Sequence, residues 1–108
     1  MSKRLPTITH LQFLVLGLLK EREQPGRVLR EVLAAHGVKR SAPAFYQLMA
    51  RLELDRLVDG WYEQVMAGDQ SVTERRYRLR PAGARLWTEA RDFYSSVIAQ
   101  TDPRWSDA

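Results

Sequence analysis

The stretch 39–55 combines cations, a hydroxyl and an amide at the spacing of a helix. Its apolar side chains recur at intervals of three and four residues, which predicts a helix over about 42–55 with one buried face. These side chains are Phe45, Leu48, Met49 and Leu52. The opposite face carries Tyr46, Gln47 and Arg51, with little acid beside them. Groups of this kind contact the phosphates and base edges of DNA, and an ordinary solvated helix face is the alternative.

Each polar residue of this predicted helix suits a different contact with DNA. Arg40 and Ser41 stand at its start, where Ser41 is also a favourable N-cap, and they would bind phosphates together with the Tyr46 hydroxyl. The Gln47 amide can pair with an adenine edge, and Arg51, one turn further along, suits a guanine edge or a phosphate. The alternatives are packing of the Tyr46 ring and simple solvation of Gln47 and Arg51.

A second group of cations follows in the C-terminal half and is offset locally only by Glu74. Its members are Arg75, Arg76, Arg78, Arg80 and Arg85. Side chains alternate along a strand, so Arg76 and Arg78 share a face and Arg75 points the other way. We therefore expect Arg76 and Arg78, more than Arg75, to contact the flanking DNA backbone or the minor groove. A merely solvated strand is the alternative.

Composition limits the possible classes of function. The chain has 108 residues, enough for one domain, and a net charge of +4. Residues 1–56 hold ten Lys/Arg against five Asp/Glu, a net of +5, and residues 57–108 hold seven against eight, a net of −1. There is no cysteine, which excludes disulfides and thiol chemistry and fits a cytoplasmic protein. His10 and His36 fall in different predicted elements, so we expect no metal, and no cofactor or catalytic motif is predicted.

The order of elements needed to position these groups is helix, helix, helix, β-hairpin, long helix. The predicted helices are at about 10–21, 27–36, 42–55 and 81–100. The predicted strands are at about 57–66, with an early turn, and at about 72–79. This order predicts a mainly α fold with a small β-hairpin, a winged helix-turn-helix plus a long C-terminal dimerisation helix. Residues 1–80 would form the DNA-binding part, 81–100 the dimerisation helix of the same structural domain, and 101–108 a flexible tail.

The first predicted helix is apolar nearly all round, which indicates cover from a second subunit as well as from its own core. The last helix carries one broad apolar and aromatic stripe. Candidates for the dimer interface, or for a small aromatic effector, are Leu11, Val15, Trp87, Phe93, Tyr94 and Val97. Aromatic residues at helical spacing are more typical of a core or dimer seam than of a ligand site.

Three segments resemble one known family: 10–19 (HLQFLVLGLL), 44–53 (AFYQLMARLE) and 75–83 (RRYRLRPAG). With them the chain resembles the PadR family of bacterial winged-helix transcriptional regulators, in its compact branch with a single C-terminal helix. The resemblance implies a homodimer that binds a palindromic operator in double-stranded DNA, usually as a repressor. It also favours Tyr46 as a phosphate contact, and some members hold flat aromatic drugs at the dimer centre. A winged-helix module that docks an acidic protein partner, or a small-molecule sensor, are the alternatives.

Two residues depart from the family pattern. Arg56 stands where the family usually has glycine, at the end of the recognition helix. If the backbone there is left-handed, a residue other than glycine costs about 1 kcal/mol, and the helix end would then be arranged differently. Arg80 stands where the family often has threonine, so a helix cap is lost and the basic surface is enlarged.

Overall fold

The computed structural model describes residues 7–101 and contains four helices and one small antiparallel sheet. In chain order the elements are α1 (His10–Leu18), β1 (Gln24–Pro25), α2 (Gly26–Ala35), α3 (Ala42–Leu54), β2 (Val58–Ala67), β3 (Gln70–Leu79) and α4 (Pro81–Thr101). The strand order is β1-β3-β2. The predicted class, a winged helix-turn-helix followed by a long C-terminal helix, is confirmed. The rest of the predicted tail, 102–108, lies outside the described residues.

Helix α1 begins at the predicted cap and ends earlier than predicted. The Thr9 hydroxyl accepts from the Gln12 N–H at 3.1 Å, and the Gln12 side-chain oxygen accepts from the Thr9 N–H at 3.0 Å. The helix ends at Leu18 rather than near residue 21. The side-chain amide of Gln24 donates to the Leu18 carbonyl at 2.5 Å, so the chain turns there and leads into β1. This two-residue strand pairs with β3 and has no counterpart in the sequence analysis.

Helices α2 and α3 end in the same left-handed geometry. Gly37 has φ +86° after α2, and Arg56 has φ +59° after α3. In both cases the next residue donates its N–H to the carbonyl five positions earlier, as in a glycine-type C-cap. The two closing bonds run from Val38 to Leu33 (2.8 Å) and from Leu57 to Leu52 (3.0 Å). Arg56 therefore ends α3 in the geometry that glycine gives to α2, with the strain that glycine would avoid, and the expected rearrangement is wrong.

The hairpin is one continuous ladder. Strands β2 and β3 pair at every position from Val58 with Leu79 to Ala67 with Gln70. The predicted early turn is wrong, because Gly60 pairs with Tyr77 inside the ladder. The tip is formed by Gly68, at φ +66°, and the residue after it. The hairpin thus reaches further from the helices than the interrupted strand that the sequence analysis predicts.

The core lies between the helices and the base of the sheet. Its fully buried apolar residues are Val15, Leu16, Leu19, Leu29, Leu33, Phe45, Met49, Leu52, Val58, Tyr77 and Ala90. Helix α4 approaches the sheet at Gly83, where an added Cβ would lie 2.2 Å from the Leu57 carbonyl oxygen. Val15 has no exposed surface within one chain, which disfavours its predicted place at a dimer interface. No helix within residues 7–101 combines the length and apolarity needed to cross a membrane.

Candidate nucleic-acid interface

The exposed face of α3 carries the polar groups that the sequence predicts. Ser41 is the N-cap, and its hydroxyl accepts from the Ala44 N–H at 3.2 Å. Gln47 lies on the exposed face. Arg51 forms an ion pair with Asp55 at 3.3 Å, and its side chain is 66% exposed. Exposed pairs of this spacing contribute only about 0.3–0.5 kcal/mol, so Arg51 is readily available to an anion.

Tyr46 projects from α3 towards the start of α2. Its ring meets Phe45 edge-on, with centroids 5.2 Å apart. An added Cβ at Gly26 would lie 2.9 Å from Tyr46 Cε1 and 3.1 Å from its hydroxyl oxygen. Gly26 therefore leaves the space in which the Tyr46 ring rests, and it fixes where the hydroxyl points. The sequence analysis missed this role, because nothing near Gly26 in the chain indicates that a ring from another helix lies above it.

A basic groove runs between α2 and the start of α3. Its lining includes Arg27, Arg30, Glu31, Ala34, Lys39, Arg40 and Tyr46. The Nε of Arg30 donates to the Arg40 carbonyl at 2.9 Å, which ties α2 to the link that leads into α3. Arg27 faces Glu31 at 3.8 Å and Glu74 at 3.6 Å, and its side chain is largely exposed. Arg40 was predicted from the sequence as a phosphate contact, whereas Arg27 and Arg30 were not. These two arginines line the groove only because α2 packs beside the start of α3.

Arg76 lies among three carboxylates. Its guanidinium is 2.5 Å from Glu74, 3.3 Å from Glu63 and 3.7 Å from Glu23. The side chain is only 18% exposed. An approaching phosphate would meet the negative charge of these carboxylates before it met the guanidinium. The geometry therefore places Arg76 as a structural cation that joins the loop before β1 to the hairpin, and it disfavours the predicted contact with DNA.

Arg78 and Arg80 share one carboxylate. Arg80 donates to Asp59 at 2.8 Å and Arg78 at 3.2 Å. The hydrogen bond from Arg80, with help from Arg78 and against the effect of burial, holds the pKa of the Asp59 carboxyl below its ordinary value. Arg78 also lies over the Trp61 ring, 5.4 Å from its centroid, and stays 61% exposed. Arg78 thus remains open to a phosphate, whereas Asp59 largely balances the charge that Arg80 adds.

Arg75 points to the opposite face of the hairpin, towards α3. Its guanidinium is 2.5 Å from the Glu53 carboxylate and lies 4.6 Å from the centre of the Tyr62 ring. The pair rests above Gly60, where an added Cβ would lie 2.3 Å from the Glu53 oxygen. Below it, burial raises the pKa of Tyr77 to about 12, against the effect of a hydrogen bond from Arg75. A second groove here is lined by Tyr46, Ala50, Glu53, Tyr62, Thr73, Arg75 and Tyr77.

The aromatic stripe of α4 packs against α1 within the same chain. Trp87 stacks on Phe13 with centroids 5.7 Å apart and planes 6° from parallel. Cations of Lys20 and Arg91 lie 4.6 Å and 5.3 Å from the Trp87 ring centre. Tyr94 meets Phe13 edge-on at 6.1 Å. The Trp87 ring, predicted as part of the dimer interface or of an effector site, is thus already in contact with Phe13 and two cations. The structure favours a packing role for Trp87 over effector binding.

An apolar surface remains beside this packing. Leu11 packs against the core, whereas Leu14 on α1 is 44% exposed. Phe93, predicted at the interface, is partly buried and meets Tyr94 edge-on at 5.5 Å. Val97, further along α4, is 40% exposed. An apolar groove between α1 and α2 adjoins Leu14 and is lined by Phe13, Leu14, Gly17, Leu18, Val32, Leu33, His36, Val38 and Trp87.

Among residues 7–101, no three side chains of His, Cys, Asp or Glu lie close enough together to hold a metal ion. His10 contacts Tyr94 edge-on at 6.1 Å, and His36 lies at the end of α2. The features that stand out are the exposed face of α3 and the basic groove beside it.

Solved structures resemble this fold over most of its length. A PadR-family transcriptional regulator from Eggerthella lenta is 28% identical, with a TM-score of 0.63, and the match covers 85% of this chain and 83% of that chain. One from Clostridium difficile is 15% identical, with a TM-score of 0.70 and coverage of 85% and 97%. A PadR-like regulator from Bacillus cereus is 21% identical, with a TM-score of 0.67 and coverage of 82% and 84%. No protein-family model and no curated protein matches the chain. The predicted resemblance is confirmed: the chain is similar in structure to these PadR-family transcriptional regulators and has their winged-helix fold.

Proposed function

We propose that this protein is a DNA-binding transcriptional regulator. It would bind a palindromic operator as a homodimer and act as a repressor. Helix α3 would enter the major groove, and the two copies in a dimer would reach successive grooves about 34 Å apart. The resemblance to solved regulators supports the general class of function. The residues of the chain itself support the mode of binding.

The observation that carries the proposal is the groove between α2 and α3. It brings Arg27, Arg30, Lys39 and Arg40 to one side of the recognition helix, with Glu31 as the single acid in its lining. The Tyr46 hydroxyl lies in the same groove. Guanidinium, ammonium and phenol groups at the start of a helix form a favourable site for backbone phosphates. Bound there, they would fix the register of α3 on the duplex.

The exposed face of α3 beyond this groove would then read the sequence. Gln47 can form two hydrogen bonds with adenine, and Arg51 can exchange its weak pair with Asp55 for a guanine edge or a phosphate. Arg78 would contribute from the wing, because it remains exposed. We do not assign a DNA contact to Arg76, which is held by carboxylates.

Dimerisation would use the apolar surface of α1 and α4. Leu14 leaves nearly half of its surface exposed within one chain, as does Val97 on α4. A second copy that covered Leu14 and the adjoining groove would remove this apolar area from water, which contributes about 25 cal/mol per Å². Sedimentation equilibrium tests this step, and Leu14→Glu should shift the protein towards the monomer.

The DNA proposal is tested by the salt dependence of binding to a labelled duplex. Each phosphate neutralised by the protein contributes about −0.9 to the slope of log K against log salt. Arg40→Ala should therefore weaken binding and make this slope shallower by about one. Arg85→Ala is the matched control, because it removes the same charge from an exposed site on α4 outside the groove. A flat salt response of the folded wild-type protein would reject the proposal and favour a module that docks an acidic protein.

Base reading is tested separately with the DNA that flanks the protein's own gene. Gln47→Ala should relax the preference for one operator over random DNA, because a good bidentate contact contributes about 1–3 kcal/mol of discrimination. Its salt slope should stay the same, since Gln47 carries no charge. An unchanged preference would remove Gln47 from the reading role and leave the phosphate contacts intact.

A further inference from the structure

A carboxylate of the recognition helix, Glu53, forms an ion pair with Arg75, the wing arginine that faces it. Glu53 lies on α3, and Arg75 lies on β3 across the second groove. Their side chains meet at 2.5 Å and are 26% and 23% exposed. The groove between them also contains Tyr46 and Ala50 from the exposed side of α3. The pair is therefore partly open to solvent and adjoins the surface proposed to bind DNA.

Carboxylate and phosphate compete for the same donor. A guanidinium presents its N–H groups in a planar fork that fits either oxyanion. The fork of Arg75 is held in place by the Tyr62 ring at 4.6 Å and the Tyr77 ring at 5.6 Å. Because two rings fix the guanidinium, an exchange of anions requires movement of Glu53 rather than of Arg75.

The space for this pair is made by a glycine in the strand. An added Cβ at Gly60 would lie 2.3 Å from the Glu53 oxygen and 2.8 Å from an Arg75 nitrogen. The nearest of these atoms is the end of the flexible Glu53 side chain, so Gly60→Ala would displace chiefly the Glu53 carboxylate without requiring a shift of the backbone. The fold thus contains a site in which this ion pair can form or be displaced while α3 and the hairpin stay in place.

We propose that Glu53 is an internal competitor for DNA phosphate. In the DNA-free protein it neutralises Arg75, and Arg75 binds a phosphate only after Glu53 moves aside. This rests on the proposed DNA-binding function and adds a regulatory element to it. The consequence is a lower affinity for random DNA, whose phosphates must displace Glu53 without compensation from base contacts.

The test is a double-mutant cycle measured by fluorescence anisotropy with a random-sequence duplex of about 30 base pairs, long enough for two half-sites. With random DNA, Glu53 of the wild type still holds Arg75 in most complexes. Glu53→Gln should therefore tighten binding about threefold to tenfold and make the log–log salt slope steeper by up to about 0.9, the contribution of one phosphate. The same change in an Arg75→Met background should give neither effect, because the cation that it releases is absent. Gly60→Ala should shift affinity in the same direction as Glu53→Gln.

Glu63→Gln is the matched control. It removes the same negative charge from the other face of the hairpin, where Glu63 lies 3.3 Å from Arg76. The competitor model predicts a smaller gain for this variant, without the steeper slope. Circular dichroism and the melting temperature show whether each variant is folded.

Three results would overturn the proposal. Equal affinity and slope for Glu53→Gln and the wild type would show that Arg75 does not take up a phosphate. A gain that persists in the Arg75→Met background would show simple repulsion of DNA by Glu53. If neither the wild type nor Glu53→Gln binds DNA at low salt, the proposed DNA-binding function itself fails, a result distinct from the first two.

Discussion

Replacement of Arg56 by glycine should stabilise the protein. Arg56 has φ +59° at the end of α3, in the left-handed region that glycine adopts without strain. A left-handed residue with a Cβ is disfavoured by about 1–2 kcal/mol. The greater freedom of glycine in the unfolded chain offsets about 0.5–1 kcal/mol of that gain. We therefore expect Arg56→Gly to raise the free energy of unfolding by about 0.5–1 kcal/mol, which results when the lower ends and the upper ends of the two ranges are subtracted in turn.

The assay is thermal and urea unfolding at one protein concentration, because association would make the transition depend on concentration. A change of this size corresponds to a rise in Tm of about 2–8 °C for a domain near 100 residues. Arg56→Ala is the first control, since it removes the guanidinium but keeps the Cβ and its strain. We expect no gain from it.

Gly37 provides the reciprocal control within the same chain. It ends α2 in the same hydrogen-bonded geometry at φ +86°, and an added Cβ would meet no heavy atom within 4 Å. Gly37→Ala should therefore destabilise the protein through backbone conformation alone. The reasoning is refuted if Arg56→Gly leaves Tm unchanged or lowers it, or if Arg56→Ala stabilises as much as Arg56→Gly, which would assign the effect to charge.

Four other substitutions test single contacts. Gly26→Ala would place a Cβ 2.9 Å from the Tyr46 ring, so we expect weaker DNA binding in anisotropy together with a lower Tm. The folded-state pKa of Tyr77, about 12, lies above its ordinary 10.0, so this neutral side chain stabilises the fold fully below pH 10 and less as the pH rises towards 12. Tyr77→Phe should remove this part of the alkaline loss of stability in urea unfolding. Arg76→Met should lower Tm and leave the salt slope of DNA binding unchanged. Arg78→Ala should make that slope shallower by about one. The opposite pattern would show that Arg76, rather than Arg78, contacts DNA.

Features that depend on neighbouring residues were predictable from the sequence. The reciprocal cap of α1 needs only Thr9 and Gln12, three residues apart. The end of α2 at Gly37 and the buried face of α3 follow from a glycine and from the periodicity of apolar residues. Each of these signals lies within one or two helical turns, so tertiary packing had little opportunity to override it.

Features that depend on distant residues were not predictable. Strand β1 exists because Gln24 and Pro25 pair with β3, more than fifty positions later. Val15 fits an apolar face that a second chain could cover, but the fold buries it completely within one chain. The space that Gly26 leaves for Tyr46 arises only when α2 and α3 cross. In each case the deciding neighbour belongs to another element, and no local pattern identifies it.

The wing shows why a count of cations misplaces a binding surface. Arg75, Arg76 and Arg80 each have a carboxylate within hydrogen-bonding distance, and Arg78 shares the carboxylate of Arg80. A paired cation attracts phosphate only to the extent that its partner is weakly held or can move. The groove between α2 and α3 has fewer arginines than the wing, and they are scattered along the sequence. However, Glu31 is the one acid in its lining. On the proposed function, the positive charge available to DNA is therefore concentrated beside the recognition helix. The wing would contribute mainly through Arg78, and through Arg75 to the extent that Glu53 releases it.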